Sequence, residues 1–401
     1  MRIIINECKK ILDIRIILLL CMFSILYYMT FTQIYRYPTG GQLTNTKYDI
    51  PFTAELVKEW GPKWKVKDEK QYQEKHQELE RGFAKIIKQD QELSKRGIVD
   101  YEIFNKKYEE LGQKTTLSKQ EKELGKILEN YVFYNDKTSK IFLDIQALEH
   151  IREFQGSEYG VSDKKYKELK ADGFFDGTKL YQKAIEKRVK RDYTSLVHEG
   201  VFYILQEDMV TIGGLIMICL FALIIPYQVK QRLRQIIPIL ATTKTGRRIY
   251  QIQLIASALV ALFVGILQMA VYGIIWHLKG LSVFWRCESW GIASNSYWCD
   301  KLSFGTYMLL YMALILLFAI ASIVIIDFIG RTIGNYMGAV AVSIPVCGVM
   351  MFLMRKIYYM LFLITNDQVL AYWELYALAT WLIVMLLFYK IRSKRWKKVD
   401  L

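Results

Sequence analysis

Six apolar segments dominate the sequence, and each is long enough to cross a lipid bilayer as a helix. A crossing needs about 20 apolar residues, because within lipid only a helix or a closed barrel satisfies its own backbone polar groups. The segments are residues 16–32, 209–227, 252–276, 306–326, a fifth that begins near 336 and is interrupted by Arg355 and Lys356, and 369–389. They predict an all-α membrane protein with six transmembrane helices and exclude an ordinary soluble enzyme.

The first segment also has the outline of a secretory signal peptide, because basic residues precede it. A cleavable signal ends in small residues, whereas residues 30–34 are Thr-Phe-Thr-Gln-Ile. We therefore expect residues 16–32 to be retained as a transmembrane helix.

Charge divides the chain into two kinds of region. Residues 33–208 carry 32 Lys and Arg against 31 Asp and Glu, whereas the rest of the chain carries 22 basic and 8 acidic residues. Nearly all of the formal net charge of +15 therefore flanks the apolar segments. Because the excess positive charge is attached to membrane segments, nucleic acid is not expected as a partner.

The basic residues also predict orientation. Outside the 33–208 block, 17 of them fall on one side of the predicted membrane, and only five fall on the other: Lys279, Arg286, Lys301, Arg355 and Lys356. Cytoplasmic loops are enriched in Lys and Arg, and long loops cross the membrane regardless of their charge. This predicts a multi-pass plasma-membrane protein with both termini in the cytoplasm and residues 33–208 outside the cell.

The block between the first two spans has the periodicity of helices. One apolar stripe at steps of three and four consists of Tyr101, Phe104, Tyr108 and Leu111. Ser118 and Glu121 have the spacing of a capping box. Period-two alternation is rare, so few strands are expected, and residues 178–208 are predicted to form one long helix that continues into the second span.

Sequence signals for catalysis and metal binding are missing. No phosphate-binding loop, nucleophile elbow or zinc helix occurs. His76, His150 and His198 lack metal-ligand spacing, so no metal site and no catalytic residues are predicted. Asp327 and Glu374 lie near span ends, where exposure at the membrane interface is expected rather than a proton relay. The chain is therefore not predicted to be an enzyme.

Two of the six cysteines share one loop. Cys287 and Cys299 both lie between the third and fourth spans, and none lies in residues 33–208. On an oxidising side of the membrane this pair is a candidate disulfide, with two unbridged thiols as the equal alternative.

The loop between the second and third spans, residues 228–251, is the most informative short stretch. It carries six basic residues and no acids, and its apolar piece Ile236-Ile237-Pro238-Ile239-Leu240 precedes Thr-Thr-Lys-Thr-Gly. One interpretation is an anchor on anionic lipid. The other is a helix that docks into a second protein, which the apolar face between the charges favours.

The membrane half, residues 1–32 and 209–398, resembles ABC-2 type permeases, the membrane subunits of bacterial ABC transporters. It is most similar to Gram-positive exporters with a large domain after the first span. Residues 240–248 resemble the family's loop that carries the coupling helix to the ATPase, and residues 1–12 its N-terminal interfacial helix. The fifth segment, followed by Asn366 and Asp367, resembles its re-entrant helices. The family often has Glu at the start of the loop, where this chain has Gln228 and Gln231.

The resemblance implies an organisation and a set of contact residues. The chain would consist of an interfacial helix (1–15), a first span (16–32), an extracellular helical domain (33–208) and five further spans (209–398) with a coupling loop (228–251). The residues expected to contact the ATPase are Ile236, Ile237, Ile239, Leu240, Thr243, Lys244, Gly246, Arg247 and Arg248.

The implied function is the permease subunit of an ATP-driven exporter in a bacterial plasma membrane. The cargo would be an amphipathic peptide, such as an antibiotic peptide, or a lipid-like compound. This chain would hold no cofactor, because ATP and Mg²⁺ bind the ATPase, and a second permease copy or a homologous permease would complete the complex. The alternative is a membrane-anchored receptor or secretion scaffold whose outer helical domain binds a ligand or partner without transport.

Overall fold

The computed structural model is almost entirely helical. It describes residues 2–36, 46–65, 69–114, 116–153, 171, 176–189, 193–197, 199–234, 249–288, 301–365 and 367–399. The elements of the N-terminal half are α1 (Arg2–Ile11), α2 (Ile14–Phe31), α3 (Gln33–Arg36), α4 (Thr46–Trp60), β1 (Lys63–Lys65), α5 (Glu69–Ile87), α6 (Gln91–Lys95), α7 (Tyr101–Gln113), α8 (Lys119–Glu129), α9 (Asp136–Glu153), α10 (Lys179–Val189) and β2 (Tyr193–Ser195). The remaining elements are α11 (Glu199–Leu233), α12 (Ile249–Leu278), α13 (Phe304–Thr332), α14 (Tyr336–Tyr358) and α15 (Trp373–Val399).

Within the described residues, six helices are long and apolar enough to cross a membrane, which confirms the predicted spans: α2, α11, α12, α13, α14 and α15. The helix α11 forms the centre of this bundle and packs against α2, α12, α13 and α14. Its most apolar stretch is 78% buried within the protein, whereas that of α2 is only 6% buried. Thus α2 lies on the outside of the bundle, where lipid covers its apolar side chains.

The inserted domain, residues 33–208, contains the predicted helical stripes. Phe83, Tyr101, Phe104 and Phe142 form an aromatic centre, in which the Phe83 and Phe104 rings lie 5.1 Å apart edge to face. The capping box of Ser118 and Glu121 is present at the start of α8. This centre is a second core, distinct from the large one that runs through the membrane helices.

The predicted long helix over residues 178–208 is wrong. The helix α10 ends at Val189, β2 follows, and α11 begins at Glu199. The strand β2 pairs antiparallel with β1, so that Trp64 lies opposite Thr194 and the Trp64 ring is fully buried. Residues 193–195 are Tyr-Thr-Ser, and the first two are residue types that favour extended backbone when a partner strand is present.

The helix α11 connects the inserted domain to the membrane bundle. Its 35 residues extend about 50 Å, well beyond the roughly 30 Å of bilayer hydrocarbon. Side chains at the base of the inserted domain, including Leu56 and Trp64, join the same core as the spans. The Lys63 ammonium also lies 2.7 Å from the Glu288 carboxylate in the segment after α12. The inserted domain therefore rests directly on one end of the bundle.

The predicted interruption of the fifth span is also wrong. The helix α14 continues through Arg355 and Lys356 to Tyr358, and Arg355 pairs with Glu207 of α11 at 3.3 Å and covers the ring of Tyr359. Among the described residues, those between α14 and α15 form turns rather than the re-entrant helices that the resemblance implied.

These turns are fixed by buried side chains. The Tyr307 hydroxyl donates to the Leu361 carbonyl at 2.9 Å, and the Phe362 backbone N–H donates to Glu374 at 3.0 Å. The expectation that Glu374 is exposed was therefore wrong, because this carboxylate satisfies backbone that lies within the bundle end.

Candidate functional site

The structure describes only the two ends of the predicted coupling loop. All nine predicted contact residues, from Ile236 to Arg248, lie outside the described residues, so their roles stay predictions. The helix α11 extends to Leu233, and α12 begins at Ile249. Gln228 and Gln231, predicted as the start of the loop, are instead buried in the last turns of α11. The connection that leaves the bundle is therefore shorter than residues 228–251.

A buried ion pair lies beside these loop ends. Arg331 and Asp327 are one turn apart on α13, with Nε and Oδ2 separated by 2.7 Å, and each side chain is 1% exposed. The predicted interfacial exposure of Asp327 is therefore wrong. A buried pair is retained without penalty only when hydrogen bonds satisfy its remaining donors and acceptors. The surrounding residues supply bonds to Asp327 Oδ1 and to Arg331 Nη2.

Both loop ends bond to this ion pair. On the α11 side, the Gln228 side-chain amide donates to Asp327 at 2.5 Å. On the α12 side, Arg331 donates to the Gln253 amide oxygen at 2.7 Å. The guanidinium also lies 5.0 Å from the centre of the Tyr250 ring. One ion pair on α13 thus links the end of α11 to the start of α12.

The N-terminal helix contributes a second buried acid. Glu7 of α1 is 3% exposed and accepts hydrogen bonds from the Tyr227 hydroxyl, from Gln253 at 3.4 Å and from Lys10 at 2.6 Å. The thiol of Cys8 donates to the Ala256 carbonyl of α12 at 3.7 Å. Hence α1 is packed across the same end of the bundle. We call Glu7, Tyr227, Gln228, Gln253, Asp327 and Arg331 the polar cluster.

The polar cluster was not predicted, although the sequence carries one signal for it. Glu7 is the only acid in residues 1–12, and Ile4 and Ile11 lie three residues before it and four after it. On a helix those positions share a face, so Glu7 falls among the apolar residues of α1. An acid on the apolar face predicts a buried carboxylate with a specific partner. No acid occurs at the start of the loop, but Glu7 of α1 and Asp327 of α13 lie beside its two ends.

The comparison with family models decides the class of protein. Residues 67–391 match the model of a family described as ABC-2 family transporter protein, which covers most of the inserted domain and all five later spans. The chain belongs to this ABC-2 transporter family. It is a multi-pass membrane permease component of an ABC transporter, not the ATPase. No curated protein matches the chain, and no solved structure matches it.

Family membership gives the polar cluster a context. An ABC permease works with an ABC ATPase. The polar cluster lies where α11 and α12 meet their connecting loop, at the end of the bundle away from the inserted domain.

The cysteine prediction stays open. Cys287 is buried, and burial raises the pKa of its thiol to about 12. Its carbonyl accepts a hydrogen bond from Phe304 at 2.6 Å, which closes the base of the loop that holds Cys299. Cys299 itself lies outside the described residues, so the bridge remains a prediction.

The histidine and metal predictions concern mainly the inserted domain. His76 bonds to Glu149 at 3.2 Å, and the Tyr101 hydroxyl donates to the same carboxylate at 3.0 Å, so a structural partner accounts for this histidine. In the part of the chain that the structure describes, no group of three or more acidic, histidine or cysteine side chains is placed to hold a metal ion.

A groove with an apolar lining lies between α2, α11 and α12. Its volume is about 400 Å³, within the range of small-molecule pockets. Ile25, Met29 and Phe263 line it and are exposed, so it opens towards lipid. Its polar feature is the hydrogen bond from Gln268 to Ser24, at 3.0 Å.

Proposed function

We propose that this chain is the membrane permease subunit of an ATP-driven exporter, and that its ATPase docks on the loop between α11 and α12. The family match over residues 67–391 carries this proposal. ATP and Mg²⁺ would bind the ATPase, because the chain has no phosphate-binding loop of its own. The contact would be made by residues 236–248, in which Arg247 and Arg248 pair with acids of the ATPase.

The packing of the spans suggests how force is transmitted. Movement of the loop acts first on the ends of α11 and α12, which the polar cluster joins to α13. Since α11 packs against four other spans, a shift of its end alters the whole bundle. Interfaces between packed helices change in discrete steps rather than continuously. Alternating access driven by the ATPase is consistent with such a bundle.

The distribution of charge supports an orientation. The loop with Arg247 and Arg248 carries six basic residues and no acids, and it lies on the side that holds 17 of the 22 flanking basic residues. The positive-inside rule makes this side cytoplasmic. Both termini then lie in the cytoplasm, where the ATPase resides, and residues 33–208 form an extracellular domain in a bacterial plasma membrane.

The groove beside α2 supports an amphipathic or lipid-like cargo. It is lined mainly by apolar side chains, opens towards lipid and offers the Gln268 and Ser24 side chains to one polar group. A peptide with an apolar face suits the same lining. A second permease copy, or a homologous permease, would complete the translocation path.

The proposal is tested by capture of an ATPase. The full-length chain is co-expressed with candidate ABC ATPases that lack their own spans, and the complex is purified in lipid nanodiscs. We expect capture by the native chain and loss of capture by the Arg247→Glu/Arg248→Glu variant. The matched control is Lys279→Glu/Arg286→Glu, which reverses two charges at the other end of the bundle and should bind as the native chain does.

Two outcomes would contradict the proposal. If the Arg247→Glu/Arg248→Glu variant still captures the ATPase, these loop arginines do not make the contact with it. The receptor or scaffold would be favoured by two results together. The chain would capture no ATPase, and the inserted domain would still bind a ligand when it is attached to an unrelated membrane anchor.

A further inference from the structure

Four side chains form a continuous hydrogen-bonded path between the two ends of the loop. The path runs from Gln228 on α11 to Asp327, across the ion pair to Arg331, and on to Gln253 on α12. Its three contacts measure 2.5, 2.7 and 2.7 Å. Its two middle members belong to α13, which is neither of the helices that the loop connects.

We propose that Arg331 is a positioning residue that fixes the distance between the two ends of the loop. The effect of this distance on coupling to the ATPase rests on the proposed function, in which the distance sets the geometry of the loop that the ATPase contacts. The spacing itself is a property of this chain alone.

The geometry of the guanidinium supports this role. Arginine presents donors in a rigid planar fork, and here Nε contacts Asp327 while Nη2 contacts Gln253. One planar group therefore fixes two partners on different helices at once. A lysine in its place would offer a compact charge on a flexible stem, without the rigid fork that fixes the direction of both bonds.

Burial makes the path resistant to opening. Both charged side chains are 1% exposed, so bulk solvent has little access to their hydrogen bonds. Separating either partner would leave a charge in a medium of low dielectric, which is costly. The Tyr250 face beside the guanidinium limits its movement further.

A neighbouring arginine provides a matched control. Arg392 of α15 lies at the same end of the bundle, 4.6 Å from the centre of the Phe328 ring, and its guanidinium is 3.4 Å from the Thr332 hydroxyl. Both of these partners are on α13, so Arg392 is a half-buried arginine that contacts the same helix but bonds to neither loop end in the described contacts.

The experiment measures the spacing directly. Spin labels are introduced through noncanonical residues at Leu233 and Gln251, both exposed, in the full chain in nanodiscs. Pulsed electron paramagnetic resonance then gives the distance distribution. We expect a single narrow peak for the native chain, and loss of that peak in Arg331→Gln and in Gln253→Met. The second variant leaves the ion pair intact and so avoids an unpaired buried charge.

The control variant Arg392→Gln should keep the narrow peak. The inference is overturned if Gln253→Met, measured below its unfolding temperature, keeps the native distribution. It is also overturned if Arg392→Gln broadens the distribution as much as Arg331→Gln does, since the effect would then be general loosening. Because no ATPase is present, this result is independent of whether an ATPase is captured.

Discussion

The closest helix contact beside the polar cluster predicts the effect of a single added methyl group. Gly330 of α13 packs against α11, and a Cβ at this position would lie 2.7 Å from the Cβ of Gln228 and 3.2 Å from its Cγ. The first distance is 0.7 Å shorter than the 3.4 Å at which ordinary van der Waals contact begins. The Gln228 Cβ is attached to the backbone and cannot swing aside, so α11 and α13 must separate.

The expected cost of Gly330→Ala is about 1–3 kcal/mol, the usual penalty for overpacking a well-packed interior. Replacing glycine by alanine within a helix also contributes about 1 kcal/mol in favour of folding. That contribution is measured separately by Gly348→Ala in α14 and Gly273→Ala in α12, where an added Cβ meets nothing within 4 Å. The difference between Gly330→Ala and these two controls isolates the packing cost.

The assay is thermal unfolding of the purified full-length chain in detergent, followed by loss of the monodisperse species. One kcal/mol corresponds to roughly 2–4 °C in a domain of 150–250 residues. Gly330→Ala should therefore unfold several degrees below both controls, and both controls should unfold at or above the native temperature. If Gly330→Ala unfolds together with its controls, the close packing of α11 on α13 is refuted.

Three further predictions concern charged contacts. Asp327→Ala should cost about 3–5 kcal/mol in thermal unfolding, because it leaves a buried guanidinium unpaired, and a loss below 1 kcal/mol would contradict its burial. The hydrogen bond from Tyr131 holds the pKa of Asp90 below its usual range. The ionised carboxylate therefore stabilises the folded protein fully at pH values above the pKa of Asp90 in the unfolded chain. This stabilisation is lost as pH falls through the lower pKa of Asp90 in the folded protein. Tyr131→Phe should reduce that acid-dependent loss in a stability–pH profile, since the backbone N–H groups of Glu92 and Leu93 still bond to Asp90, and an unchanged profile would contradict the assignment. A double-mutant cycle of Lys63→Ala and Glu288→Ala should give a coupling of about 0.2–1 kcal/mol, and zero coupling would show that the pair does not hold the inserted domain.

The spans and the helical stripes were predictable because both depend on local sequence. Membrane helices are set by the length of an apolar run, and stripes such as Tyr101, Phe104 and Leu111 are set by helical periodicity. The structure buries all three of these side chains. Such features need no knowledge of what packs against them.

The features that were not predicted depend on partners distant in the sequence. The strands β1 and β2 have three residues each and pair across about 130 positions, so neither has a recognisable pattern alone. Arg355 near the end of α14 pairs with Glu207 of α11, which lies 148 positions away in the sequence. Likewise, Asp327 is buried because Gln228 and Arg331 satisfy its carboxylate.

The central claim is that the loop between α11 and α12 contacts an ATPase. It is tested most directly by a photo-crosslinking residue at Thr243 in the full chain within living cells, with the same residue at Ser282 as the control at the other end of the bundle. We predict that Thr243 forms an adduct with a protein that mass spectrometry identifies by its G-x-x-x-x-G-K-[ST] loop, and that Ser282 does not. An ATPase adduct at Ser282, or its absence at Thr243, would contradict the account.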